Sequence, residues 1–269
     1  MTTPHTPENW GAASRAYAEQ APRMMGSLAE ALIERLDRGP DHDALEVAAG
    51  TGALTLRLAP RVRSLLATDF APGMIEVLQE RLAAAGVAGV TCEVMNGQAL
   101  ACADASFDPA ACSFGVMLFP DRAKGFSELH RVLRPGGRVA VSGWAGPPEF
   151  DAFRIFLTAL TIAFPDMPAP PGPPRVFSLA DPASFAAQME AAGFTEIRID
   201  KVSGAVRSRR RERERPPQES ARTGCRGPLR HRAHPPEQHG HQRLRRRGLR
   251  GRSTRPSWQR TRHSPASRR

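Results

Sequence analysis

Two acidic residues stand where two predicted strands end, and their spacing suggests a nucleoside site. Glu46 lies in "ALEVA", directly before the small-residue run that contains Gly50, Thr51 and Gly52, and Asp69 ends "LLATD" 23 residues later. Small residues let a ligand approach the backbone closely. A carboxylate at Asp69 could accept hydrogen bonds from both hydroxyls of a ribose. Glu46 would repel a pyrophosphate and attract an ammonium group.

Two other nucleotide sites fit this turn poorly. A phosphate-binding P-loop needs Lys followed by Ser or Thr after its last glycine, but Ala53-Leu54 follow Gly52. A dinucleotide turn needs a third glycine where Thr55 stands, and Ala48 occupies the first glycine slot. Asp69 alone does not choose between a nicotinamide and an S-adenosyl cofactor. The acid within the first strand favours a ligand with a positive end and no phosphates.

The elements that must position these residues alternate regularly along the chain. Short apolar runs read as strands, and stretches with three- and four-residue apolar spacing read as helices, with Pro22 at a first helical position. This alternation predicts an α/β fold with a doubly wound, mostly parallel sheet. The predicted strands are 43–48, 64–70, 89–96, 108–119, 138–145 and 194–202. The predicted helices are 11–38, one from near residue 52, 71–86, 121–133, 149–164 and 181–194.

The same pattern divides the chain into five segments. The ligand-binding core is flanked by a helical cap before it and by a proline-rich lid after it, and an arginine-rich tail ends the chain. The predicted segments are a helical cap (1–40), the core (41–145), a substrate-side helix and lid (146–180), a helix and strand (181–206) and a disordered tail (207–269).

The tail differs sharply from the rest of the chain. Residues 207–269 hold 21 Arg, four Glu and no Lys, so this segment has a net charge of +17. The whole chain has a net charge of +11, so residues 1–206 have a net charge of −6. The tail has few aliphatic residues, so the apolar surface that it could bury does not offset the conformational entropy lost on ordering. The tail would bind nucleic acid if it is native. We favour the interpretation that the tail is the product of a high-GC gene translated out of frame, and on that interpretation we expect no nucleic-acid partner.

Other signals are weak and point to a reduced, cytoplasmic protein. The four cysteines show no ligand spacing, so we expect free thiols and no metal site. The N-terminus lacks the pattern of a signal peptide. No apolar run approaches the roughly 18 residues of a membrane span.

Five motifs together resemble a known family. They are "LEVAAGTGALT", "ATDFAPGMIE", "NGQALACADASFD", "SFGVMLFPD" and "RVLRPGGRVAVSGW". Their order and spacing are similar to those of class I S-adenosylmethionine-dependent methyltransferases, in particular the ubiquinone/menaquinone biosynthesis C-methyltransferase group, over residues 10–202. The resemblance implies a Rossmann-like sheet and S-adenosyl-L-methionine as cofactor. Relatives insert a further antiparallel strand after the position of "FTEIRID", so we expect the last strand to be missing or disrupted.

The resemblance also assigns site residues. Glu46 would face the amino group of the methionine moiety, and Asp69 would hold the ribose. Backbone close to the cofactor would come from Ala48, Gly50, Thr51 and Gly52. The adenosine would be lined by Phe70 and Met74, its adenine edge met by Asn96 and Gly97, and the methyl donor flanked by Ser113 and Phe114.

The acceptor is defined only by class. The fourth strand ends in Ser113-Phe114-Gly115-Val116 and lacks the Asn/Asp-Pro-Pro-aromatic turn of many amine and base methyltransferases. This favours a carbon or oxygen nucleophile on a small apolar molecule, which could contact Tyr17, Met117 and Trp144. No catalytic base is evident. The alternatives are an RNA methyltransferase that uses the tail, and a catalytically impaired S-adenosylmethionine-binding protein.

Overall fold

The fold is built on a five-stranded sheet. The computed structural model describes residues 5–36, 39–163 and 174–203. All strand pairs are parallel, in the spatial order β3-β2-β1-β4-β5. The strands are β1 (Asp43–Val47), β2 (Ser64–Asp69), β3 (Val90–Val94), β4 (Phe107–Ser113) and β5 (Leu133–Ser142). The predicted α/β class with a parallel sheet is confirmed.

Helices cover both faces of this sheet. They are α1 (Pro7–Arg35), α2 (Thr55–Leu58), α3 (Pro72–Ala85), α4 (Arg122–Val132), α5 (Asp151–Ala163) and α6 (Pro182–Ala191). Alternate residues of β1 point to opposite cores, because Ala44 packs with α1 and α2 whereas Leu45 packs with α4 and α6. A further cluster joins α3 to Ala67 of β2. Among the described helices, none is long and apolar enough to cross a membrane.

The helix that follows β2 agrees with its sequence signals. Pro72 occupies the first turn of α3, where its missing N–H costs nothing. Gly86 ends the helix at φ +64°, and its N–H bonds back to the carbonyls of Leu82 and Ala83. The predicted helix 71–86 is therefore confirmed to within one residue at either end.

The start of α1 differs from the prediction. The helix begins at Pro7, capped by the Thr6 hydroxyl, which accepts a hydrogen bond from the N–H of Asn9 at 3.3 Å. Pro22 therefore lies inside the helix and not at its start, which corrects the sequence interpretation. Its neighbours Ala21 and Met25 are buried in the core, and this packing outweighs the lost backbone bond.

Two strand bounds also need correction. The predicted strand 108–119 ends at Ser113, because Phe114 takes φ +58° and a single 3-10 turn follows. The fifth strand begins at Leu133 and not at 138, since Leu133 pairs with Phe107 of β4 and pairing resumes at Arg138, opposite Pro109, after a register shift.

The predicted strand 194–202 was wrong. This segment has no regular secondary structure and pairs with no strand in the part of the chain that the structure describes. Its apolar residues Ile197 and Ile199 are half-buried against the main core. A strand needs a neighbour to bond with, and the described sheet ends at β5. The predicted tail, 207–269, and most of the proline-rich lid, 164–173, lie outside the described residues.

The strand order places a ligand crevice at one edge. The chain runs outward from β1 through β2 to β3 and then returns to the other side of β1 for β4. Open α/β sheets bind ligands at this reversal, outside the carboxyl ends of the strands. Glu46, Asp69 and Ser113 lie in the last two residues of β1, β2 and β4 respectively, so the topology brings them to the same edge.

Candidate active site

The turn after β1 has a backbone that few residues tolerate. Ala48, Gly50 and Gly52 all have positive φ, at +56°, +55° and +86°. Gly52 is required for a second reason, because a Cβ there would lie 2.4 Å from Cδ1 of Leu78 on α3. The turn is thus packed directly against α3, as a close approach between helix and strand requires.

Ala48 replaces a glycine of the family pattern, and the structure shows how its methyl group is accommodated. A Cβ on Gly115 would lie only 2.4 Å from the Cβ of Ala48 and 2.7 Å from Sγ of Cys112. Gly115 has a φ of −95°, which any residue can adopt. The lack of room for a Cβ, and not the backbone conformation, therefore requires glycine at this position. The glycine at 115 therefore makes room for the alanine at 48.

Glu46 is a buried carboxyl with an unsatisfied oxygen. Glu46 is 1% exposed, and its Oε2 has no hydrogen-bond partner among the described residues. Burial, reinforced by the nearby Asp69 carboxylate, raises the pKa of Glu46 to about 8. A buried acceptor of this kind is costly unless something pairs with it, and a cationic donor would restore its charge.

Asp69 is held by the backbone at both oxygens. Oδ2 accepts a hydrogen bond from the N–H of Gly50 at 2.9 Å, and Oδ1 accepts one from the N–H of Ala71 at 3.0 Å. Burial raises the pKa of Asp69, and these backbone bonds oppose the rise. Because each carboxylate oxygen has two lone pairs, both retain capacity for a ligand hydroxyl. The bond to Gly50 also ties β2 to the turn.

The residues predicted to line the adenosine are spread over three elements. Met74 is 2% exposed, and Phe70 is half-buried. Asn96 is exposed, and its Oδ1 accepts hydrogen bonds from the N–H of Gln98 at 2.9 Å and from Nε2 of Gln98 at 3.3 Å. Gly97 admits no side chain, since a Cβ would lie 2.6 Å from both Phe119 and Val47.

A column of aromatic rings begins at the end of β4. Phe114 stacks on Trp144 with ring centroids 4.2 Å apart, and Trp144 stacks on Phe150 at 4.6 Å and 8°. Phe153 and Phe177 continue the column edge to face at 4.7 Å. The column links the end of β4 to helix α5. The sequence interpretation identified Phe114 and Trp144 but missed the other three members.

Two of the predicted acceptor contacts lie in different surroundings. Tyr17 of α1 lies over the turn, since a Cβ on Gly50 would be 3.4 Å from its Cε1. Its hydroxyl donates to Sδ of Met25 at 3.5 Å, and burial, with the Asp69 charge, raises the pKa of Tyr17 to about 12. Met117 is 2% exposed within the main core. The structure therefore brings Tyr17 to the turn and leaves Met117 beneath the surface.

The acidic side chains of the site distinguish between possible cofactors. Two carboxyls, Glu46 and Asp69, lie beside a turn whose backbone can approach a ligand closely. A pyrophosphate has no hydrogen to donate to the two carboxyls, whereas a ligand with an ammonium group and a ribose would meet an acceptor for each. The residues present fit S-adenosylmethionine.

Comparison with known proteins agrees with this geometry. A family model described as a methyltransferase domain matches residues 44–137. A demethylmenaquinone methyltransferase of Mycolicibacterium vanbaalenii is 31% identical over 182 residues, 64% of this chain and 77% of that protein. The chain belongs to the class I S-adenosylmethionine-dependent methyltransferases. A methyltransferase structure from Aquifex aeolicus shares the fold, with a TM-score of 0.51, 16% identity and coverage of 75% of this chain and 94% of that one.

The extent of the similarity varies among the relatives of this chain. The chain spans about half the length of several curated relatives that it matches. One of them is an uncharacterised protein of Mycobacterium tuberculosis, 38% identical over 130 residues, 48% of this chain and 46% of that protein.

Two histidines lie apart from the turn. His130 packs edge to face against Phe194 at 5.1 Å, and His42 directly precedes β1 at the opposite end of the strand from Glu46. In the described ranges, no group of three His, Cys, Asp or Glu side chains could hold a metal ion.

Sequence reasoning missed residues that support the turn from behind. Arg57 of α2 donates to the carbonyl of Ala53 at 2.7 Å, and Arg81 of α3 donates to the carbonyl of Thr51. The available signal was a cation within the apolar face of α3, where Arg81 sits between Leu78 and Leu82.

Proposed function

We propose that this chain transfers the methyl group of S-adenosylmethionine to a carbon or oxygen nucleophile on a small apolar acceptor. The observation that carries the proposal is the buried Oε2 of Glu46 beside the positive-φ turn, which has no hydrogen-bond partner among the described residues. A cation beside a buried carboxyl stabilises its ionised form. The second acid, Asp69, supplies the hydroxyl acceptor that a nucleoside needs.

The cofactor would be held by side chains whose positions are described above. Glu46 would accept from its amino group, and Asp69 would accept from its ribose through the lone pairs that Gly50 and Ala71 leave unused. The adenosine would lie among Phe70, Met74, Asn96 and Gly97. Ser113 and Phe114 would stand beside the methyl group, and Ala48, Thr51 and Gly52 would contribute backbone. When bound, S-adenosylmethionine supplies an electrophilic methyl group on a positively charged sulfur.

The aromatic column that begins at the end of β4 supports the proposed acceptor class. The rings of the column stack on one another, and its half-buried members Trp144 and Phe150 leave part of their apolar ring surface accessible. Such surface favours apolar molecules. A relative named as a ubiquinone/menaquinone biosynthesis C-methyltransferase supports a carbon nucleophile among the possibilities. Tyr17, over the turn, would close the crevice from the side of α1.

The chain would act mainly by orientation. Displacement at a sulfonium needs the nucleophile, the methyl carbon and the sulfur in line, and good alignment can lower the barrier by roughly 7–11 kcal/mol. The phenol of Tyr17 keeps its proton at neutral pH because its pKa is about 12. An acceptor that is already electron-rich, such as an enol or a hydroquinone, would need no basic side chain. Water or its own hydroxyl could take up the proton that is released on methylation.

A product assay tests the proposal. The protein is incubated with S-adenosylmethionine carrying a deuterated methyl group and with separate panels of hydroquinones, phenols, amines and short RNAs. We expect S-adenosylhomocysteine and a deuteromethylated product with hydroquinones or phenols. Methylation of RNA or amines alone, with no product from the apolar panels, would overturn the proposed acceptor class.

A matched control identifies the site. Asp69→Ala removes the carboxylate and should abolish product formation, whereas Arg15→Met removes a surface ion pair with Glu80 and should leave it unchanged. Equal activity of the Asp69→Ala variant and the unsubstituted protein would place the reaction elsewhere.

A further inference from the structure

The peptides of the turn after β1 differ in their hydrogen bonding. Gly50 donates its N–H to Asp69 Oδ2, and Gly52 donates its N–H to the carbonyl of Ala49 at 3.0 Å. The carbonyl of Thr51 accepts from Arg81. The peptide between Gly50 and Thr51 has no hydrogen-bond partner for its C=O or its N–H among the described residues. It is flanked on both sides by peptides that are fixed at both ends.

We propose that Arg81 is a positioning residue for the cofactor: by holding the Thr51 carbonyl it keeps the free Gly50–Thr51 peptide oriented towards the ligand. The inference rests on the proposed function, and it concerns a residue outside the family motifs. Arg81 approaches the turn from α3, one helical turn beyond Leu78, which already requires glycine at 52.

The surroundings of Arg81 support this role over a surface ion pair. Within the described residues Arg81 has no carboxylate within 4.0 Å, and its Nη1 also lies 3.5 Å from the Thr51 hydroxyl. The comparable arginine on the turn, Arg57, has Glu30 at 3.6 Å to balance its charge. Arg81 is half-buried, and its guanidinium contacts the turn rather than an acidic side chain.

Loss of this contact should appear in binding. Without the guanidinium the peptide between Thr51 and Gly52 loses one of its two anchors, and the free peptide before it can rotate. Ordering the backbone of one residue when the ligand binds costs roughly 1–2 kcal/mol, which corresponds to about a fivefold to thirtyfold change in affinity.

Calorimetry with S-adenosylhomocysteine tests the proposal on four proteins. Arg81→Met removes the donor and keeps the aliphatic stem, Arg81→Lys keeps a charged donor, and Arg15→Met is the control on the same helix pair. We expect Arg81→Met to bind about tenfold more weakly, Arg81→Lys to stay within about threefold of the unsubstituted protein, and Arg15→Met to be unchanged.

Other results would overturn the inference. Binding by Arg81→Met within about threefold of the unsubstituted protein would show that the contact does not position the ligand. Equal weakening in Arg81→Met and Arg81→Lys would indicate a packing defect. If Arg81→Met does not fold, Arg81→Gln takes its place under the same criteria. Absence of binding by the unsubstituted protein would instead contradict the proposed function, so the two failures are distinguishable.

Discussion

The contact between Ala48 and Gly115 makes a quantitative prediction. Ala48 adopts φ +56°, which costs an L-residue with a side chain about 1–2 kcal/mol. Ala48→Gly should therefore raise the free energy of unfolding by about 1 kcal/mol, after the entropy that glycine loses is subtracted. For a domain of this size the melting temperature should rise by roughly 2–4 °C.

The reciprocal change should be costly because of space alone. Gly115→Ala would place a methyl group 2.4 Å from the Ala48 Cβ and 2.7 Å from Cys112 Sγ. Overpacking of this kind costs about 1–3 kcal/mol. In the Ala48→Gly background the first clash disappears while the second remains. The cost of Gly115→Ala should then fall by about 1 kcal/mol.

Urea unfolding of the four proteins of this double-mutant cycle measures the coupling. Gly86→Ala is a suitable control, because Gly86 has φ +64° and open space around its missing side chain. It should lose about 1 kcal/mol through backbone strain and show no coupling to Ala48. If Gly115→Ala costs the same in both backgrounds, within about 0.3 kcal/mol, the steric account of the Ala48 substitution is refuted.

Three further predictions concern the same crevice. Folded Glu46 keeps its proton up to a pKa of about 8 whereas the unfolded chain releases it near 4.5, so the free energy of unfolding without ligand should fall as pH rises between these values. Glu46→Gln should flatten that slope in urea titrations, and an unchanged slope would contradict the buried acid. Gly52→Ala should destabilise by more than about 2 kcal/mol because of Leu78, and Leu78→Ala should recover part of the loss in thermal melts; no recovery would exclude the clash. Phe150→Ala should raise the KM for the acceptor and leave cofactor affinity unchanged in steady-state and calorimetric assays; weakened cofactor binding would show that the column does not serve the acceptor alone.

Local sequence signals predicted the parts of the fold that depend on local physics. Strands β1 and β2 and helix α3 match within one residue, since apolar runs, Pro72 and Gly86 specify them without reference to distant contacts. The meeting of Glu46 with Asp69 followed from parallel topology, because the carboxyl ends of neighbouring strands lie together.

Features that depend on distant partners could not be predicted in this way. The segment 194–202 has the alternation of a strand, but alternation cannot supply a neighbour to bond with. Pro22 lies within α1 because tertiary packing overrides a local preference. The fit between Ala48 and Gly115 joins residues 67 positions apart in the chain, and nothing in either residue alone indicates it.

The central claim is that the crevice at the end of β1 binds S-adenosylmethionine through Glu46 and Asp69. Isothermal calorimetry on the folded protein measures this directly. We predict one site for S-adenosylmethionine, with affinity about tenfold or more weaker in Asp69→Asn, the loss expected when a charged acceptor is neutralised. Uptake of a nicotinamide dinucleotide, with no heat from S-adenosylmethionine, would contradict the claim.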